Sequence, residues 1–78
     1  MNITIHSKYG CPYCDKIKAV LDQRDMEYNV LTLEEDFTQD EFREEFGLDA
    51  TFPRVVIDGA IIGGCRDTVE YLLNKDMF

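Results

Sequence analysis

Cys11 and Cys14 flank Pro12-Tyr13, and two thiols at this separation can open and close as a disulfide. The flanking residues say how reactive they are. Behind them, Tyr13, Ile17, Val20 and Leu21 recur at i, i+4, i+7 and i+8, one face of a helix. Proline is favoured at the first helical position, where its missing N–H leaves nothing unpaired. That makes Cys11 the N-cap and Pro12 the first helical residue. A sulfur there meets free backbone N–H groups and the positive end of the helix dipole. Both favour thiolate, the nucleophilic form, and such settings bring a cysteine pKa from about 8.5 into roughly 3.5–7.5. Lys8, three residues upstream, adds positive charge. Cys14 lies one turn deeper, so Cys11 is expected to attack and Cys14 to resolve.

The elements that hold this pair follow from the pattern around it. Asn2 to His6 alternates Ile3 and Ile5 with polar residues and reads as a strand; Ser7 to Gly10 is the loop that delivers Cys11. A first helix is expected from Pro12 to about Arg24, and Glu27 to Leu33 is rich in β-formers. Strand, helix, strand at this length is a right-handed crossover with parallel strands. Thr38 and Glu41 form a capping box, with Phe37 and Phe42 placed as a hydrophobic staple. Phe42 and Phe46 give that helix its apolar stripe, and Gly47 ends it. Two apolar runs flank Asp58-Gly59, a hairpin signature, and Gly63-Gly64 closes it. Asp67 is expected to cap a last helix with Val69, Leu72 and Leu73 as its apolar face. The order βαβαββα predicts an α/β fold: one mixed four-stranded sheet with helices on both faces.

Composition narrows the function. With 78 residues there is material for one domain, residues 1–78, and a limited core. A formal net charge of −8 without a basic cluster argues against nucleic acid or an anionic membrane as partner. No apolar run approaches the ~20 residues of a membrane span, and no signal-like segment opens the chain. Three cysteines are too few for a disulfide-stapled scaffold, so a cytoplasmic, redox-active protein is expected. The acids concentrate in Glu34, Glu35, Asp36, Asp40, Glu41, Glu44 and Glu45, which read as a solvated face or as a repulsive surface that selects partners. Structural zinc needs four ligands; beyond the pair only Cys65 and His6 remain, so no metal is expected. Cys65 reads as a small buried residue or a secondary thiol, and His6 as a strand residue near the surface.

Three segments now line up in order: Cys11-Pro12-Tyr13-Cys14, Thr51-Phe52-Pro53 and Gly63-Gly64-Cys65-Arg66-Asp67. With them the whole chain resembles a glutaredoxin of the dithiol type, in the thioredoxin-like fold. The resemblance implies glutathione as cosubstrate and a cis bond before Pro53, which lets the Phe52 backbone meet an extended substrate. It implies that Lys8 and Tyr13 flank the glutathione and that Thr51, Phe52, Pro53, Gly64, Cys65, Arg66 and Asp67 complete its site. The γ-glutamyl carboxylate would rest on the free N–H groups of the last helix, with Asp67 at its α-amino group. Phe52 stands where many relatives carry valine. Gln39 and Arg43 are both open as contacts for the glycine end.

The activity implied is glutathione-dependent reduction of protein disulfides and glutathione mixed disulfides by a monomer, with ribonucleotide reductase as a common family acceptor. One alternative is a similar electron donor reduced by thioredoxin reductase, against which the set Lys8, Tyr13, Arg66 and Asp67 argues. The other is a glutathione-dependent [2Fe–2S] cluster carrier, a role whose holders mostly lack a counterpart of Cys14 and which a proline after Cys11 disfavours.

Overall fold

Ile3 and Ile5 alternate into the core from the central strand of a mixed sheet, and the rest of the chain is wrapped around that strand. The structure, a computed structural model, describes residues 1–76; the last two residues of the expected domain lie outside it. In chain order the elements are β1 (Ile3–Ser7), α1 (Pro12–Gln23), β2 (Asn29–Thr32), α2 (Gln39–Phe46), β3 (Arg54–Ile57), β4 (Ala60–Gly63) and α3 (Cys65–Asn74). The strands run in the order β2-β1-β3-β4, with β1 parallel to β2 and antiparallel to β3, and β3 antiparallel to β4. This is the thioredoxin-like arrangement, in the element order expected from sequence.

One face of the sheet carries the aliphatic core. Ile3 and Ile5 of β1, Val55 and Ile57 of β3, Ile17 and Leu21 of α1, and Cys65 and Leu72 of α3 pack together there. Each buried aliphatic side chain contributes roughly 1.5–3 kcal/mol relative to exposure. That inner packing, more than helix propensity, holds α1 and α3 in place. The other face is covered by aromatic rings. Phe37 stacks on Phe42 at 5.8 Å, as the staple requires, and the capping box of Thr38 and Glu41 is formed in both directions.

Four local expectations change. His6 is 7% exposed rather than near the surface, because α2 covers the sheet face opposite the isoleucines; its ring sits edge-on to Phe37 and Phe46. Leu73 is 52% exposed; Leu72 is buried and Val69 packs against the core as expected, and Cys65 and Thr68 complete the inner face of α3. β2 is shorter than Glu27 to Leu33: Tyr28 packs against the core and donates to Asp22 at 2.9 Å, outside the ladder. Asp67 does not open α3. Gly64 is the N-cap and Asp67 the third helical residue, whose carboxylate reaches back to accept from the Gly64 N–H at 3.2 Å.

Candidate active site

The loop from β1 turns into α1 through Gly10, whose φ of +72° is a left-handed conformation that glycine adopts without strain. The turn leaves Cys11 extended, at φ −107° and ψ 102°, as the N-cap, with Pro12 next. The Cys11 sulfur accepts a hydrogen bond from the Cys14 N–H at 3.2 Å, so the orphan donor of the first turn points at sulfur. Cys11 and Cys14 are joined as a disulfide with their Cα atoms 5.2 Å apart. Cys11 retains 6% exposure and Cys14 none, the asymmetry expected of an attacking and a resolving sulfur.

Beside the pair, a groove of about 290 Å³ is lined by Tyr13, Thr51, Phe52, Pro53, Gly64, Cys65, Arg66 and Asp67. Eight of the nine residues expected around the substrate therefore share one cleft, although they come from α1, the loop before β3 and the start of α3. The Phe52-Pro53 bond is cis, as expected. The chain is folded tightly where β4 ends and α3 begins: a side chain on Gly63, at φ +129°, would collide with the Asp67 carboxylate, while one on Gly64 would stand in ordinary contact with the Pro53 carbonyl. The Thr68 hydroxyl, fully buried, donates to the Gly64 carbonyl at 2.7 Å and pins the first turn of α3. Thr68 and the role of Gly63 were not singled out from sequence; a small-residue pair before a helix was the visible signal.

Lys8, the ninth residue, lines a separate pocket with Tyr9, Gly10 and Asp15. Its Nζ lies 5.3 Å from the centre of the Phe52 ring, a cation–π distance, so it still meets the groove through that ring. Phe52 itself stacks on Phe42 at 4.1 Å and 13°, which ties the groove wall to the α2 aromatic cluster. Arg66 is largely exposed and pairs with Glu70 at 3.4 Å, a solvent-screened surface contact that contributes little. Cys65 is a free thiol, 8% exposed, and burial raises its pKa although Lys16 opposes the rise. Neither Gln39 nor Arg43 lines the groove; Arg43 borders a cleft with Asp40, Glu44 and Leu48. A larger cavity of about 690 Å³, around Met1, Asp22, Met26 and Tyr28, lies at the start of β1, away from the cysteines, and its lining contains no thiol or imidazole.

Chemically, the arrangement is a disulfide at a helix N-terminus, one sulfur nearer solvent, beside a cleft with helical N–H groups and an acidic side chain at its edge. Comparison with known proteins agrees with this geometry. The glutaredoxin family model matches residues 3–62. The chain is 38% identical over 68 residues to glutaredoxin 1 of Rickettsia typhi, covering 83% of this chain and 64% of that protein. It is 32% identical over 66 residues to glutaredoxin 3 of Escherichia coli K12, covering 85% and 80%. The crystal structure of a buckwheat glutaredoxin–glutathione complex superposes with a TM-score of 0.78 at 28% identity, covering 96% of this chain and 71% of that one. The match thus spans just under two thirds of the rickettsial relative. By its cysteine pair, its fold and these matches, the chain belongs to the glutaredoxin family.

Proposed function

We propose that this protein is a thiol–disulfide oxidoreductase of the dithiol type that draws its electrons from glutathione. The observation that carries the reading is the Cys11–Cys14 disulfide capping α1 beside the groove of Tyr13, Thr51, Pro53, Gly64 and Asp67. In the reduced protein the Cys11 thiolate attacks one sulfur of a substrate disulfide. A Cys11–substrate bond forms, and the other substrate sulfur leaves as a thiolate that takes a proton from solvent. Cys14 then attacks the Cys11 sulfur, releases the reduced substrate and restores the Cys11–Cys14 disulfide. Two glutathione molecules reduce that disulfide again and leave as glutathione disulfide. On a glutathionylated protein, Cys11 takes the glutathionyl sulfur, and a second glutathione resolves the product.

The groove supports glutathione in particular. The first turn of α3 has backbone N–H groups that would suit a carboxylate, and Asp67, in the groove lining, would suit an α-amino group. Lys8, over the Phe52 ring, and Arg66, in the groove lining, bring positive charge near an anionic tripeptide in a protein of net charge −8. The related buckwheat protein was crystallised with glutathione. We further propose a monomer working in the cytoplasm, with disulfide-bearing proteins such as ribonucleotide reductase as acceptors. The deciding experiment is a coupled assay on the oxidised protein. Glutathione with glutathione reductase is expected to sustain turnover; thioredoxin reductase alone is not. Turnover with thioredoxin reductase alone would replace glutathione as the electron source.

A further inference from the structure

A second groove, of about 730 Å³, runs between α1 and α3 and opens from the first, sharing Tyr13, Cys65 and Arg66 with it. It is larger than the groove assigned to glutathione and is not needed for it. Its apolar side chains are Val20, Val69 and Leu73, and Leu73 is 52% exposed although it is aliphatic. Its charged residues are Lys16, Arg24 and Arg66 against Glu70. Three of the eight basic residues of the chain thus line this groove, with one of the sixteen acidic residues. On a strongly acidic protein that is a local inversion of sign. The acidic run of Glu34, Glu35 and Asp36 and the acids of α2 lie outside it.

The geometry points to this groove as the docking track for an acidic, extended segment of the protein substrate, next to the cysteine that Cys11 attacks. The inference rests on the proposed exchange reaction, because continuity with the active cleft is what makes the occupant a substrate. From Tyr13 to Arg24 the track measures about 16 Å at 1.5 Å per helical residue. That is the reach of about five extended residues. Asp or Glu side chains on such a segment would face Lys16, Arg24 and Arg66, and apolar side chains would cover Val69 and Leu73. Charge complementarity of this kind selects and orients partners. A basic segment would find Glu70 alone, and an acidic segment would be repelled from α2.

Two ten-residue peptides test this, one with Asp and Glu around two leucines, the other with Lys in their place. In each, the central cysteine is first replaced by serine, so that binding is read without chemistry by amide shifts of the oxidised protein. The acidic peptide is expected to shift Lys16, Val20, Val69 and Leu73, and the basic one is not. Lys16→Glu or Leu73→Ser should weaken the acidic peptide about tenfold. Equal shifts by both peptides, or shifts outside this groove, would overturn the proposal. A kinetic arm uses glutathionylated cysteine versions of the same peptides. The acidic one should have the higher kcat/KM, by about tenfold at low salt, and Leu73→Ser should remove that advantage. The same variant should leave reduction of the glutathione–mercaptoethanol mixed disulfide unchanged; an equal loss there would count against a docking role. Failure of the unaltered protein on that small disulfide would strike the proposed reaction, while the amide shifts would still decide the docking.

Discussion

The Cys14 N–H donates to the Cys11 sulfur at 3.2 Å, so the buried half of the disulfide aims a backbone donor at the half nearer solvent. The relation is one-way, because Cys14 is fully buried inside the first turn. In the reduced protein the same N–H and the helix dipole favour the Cys11 thiolate. Cys11→Ser is therefore expected to abolish all exchange. Cys14→Ser should keep removal of glutathione from glutathionylated substrates and lose reduction of intramolecular disulfides. Iodoacetamide alkylation across pH checks the assignment: one thiol should titrate well below about 8.5, and peptide mapping should place it at Cys11. A fast-reacting Cys14 would reverse the roles.

Asp67 joins stability to recognition, and two substitutions separate these. Its carboxylate closes the first turn of α3 by accepting from Gly64, and Gly63 passes beneath it. Asp67→Ala removes the acceptor and should cost about 0.5–2 kcal/mol, as loss of a helix cap does. Asp67→Asn keeps an oxygen for the Gly64 N–H, so its melting temperature should stay close to the parent's. Both lose the negative charge proposed to meet the α-amino group of glutathione, so both should raise KM for a glutathionylated substrate. If Asp67→Asn shows parental kinetics, Asp67 serves the fold alone.

Cys65 borders both grooves and yet should be chemically quiet. Burial disfavours its thiolate and raises its pKa above the ordinary value of 9.0, with Lys16 pulling weakly the other way. In the oxidised, folded protein, a thiol reagent near neutral pH should modify it slowly, and unfolding in guanidinium should make the reaction fast. Well below pH 9 the thiol is protonated in both states and its contribution is constant. As pH rises past 9 the unfolded chain ionises first, and stability falls until the folded thiol ionises too. Cys65→Ala should flatten that alkaline fall.

What the sequence revealed of this site was what is decided locally. Pro12 places Cys11 at the N-cap by its own backbone geometry, and Thr38 and Glu41 cap α2 within four residues. Cys11-Pro12-Tyr13-Cys14, Thr51-Phe52-Pro53 and the segment from Gly63 to Asp67 were visible as motifs, and the fold brings them to one groove. The misreadings arose where tertiary packing decides. His6 alternates correctly with Ile5, but α2 buries the face that alternation assigned to water. Leu73 fits a helical stripe, yet α3 is rotated so that Cys65, Thr68 and Leu72 face inward. Asp67 has the chemistry of an N-cap, but Gly64 reaches that position first, and the aspartate caps from within the turn.

The Phe52 ring lies between the α2 aromatic cluster and the Lys8 ammonium: Phe42 stacks on it at 4.1 Å, and Lys8 Nζ stands 5.3 Å from its centre. Valine in its place supplies no ring for either contact. Phe52→Val should therefore act twice. It empties part of a half-buried aromatic stack, at a cost of about 1–3 kcal/mol, less than the 3–5 of a fully buried Phe→Ala because the ring is partly exposed. It also frees Lys8 from its platform, a contact worth about 0.5–1 kcal/mol at an exposed site. Lys8→Gln alone should cost only that contact, about 0.5–1 kcal/mol, and raise KM for anionic glutathionylated substrates, most clearly at low salt. The double variant decides whether the two residues act together. If the ring holds the ammonium in place, Lys8→Gln should raise KM less in the Phe52→Val background than in the parent, with a coupling of about 0.5–1 kcal/mol in the urea-derived stability as well. Strict additivity in both KM and stability would mean that Lys8 acts from solvent and that Phe52 serves the α2 packing alone.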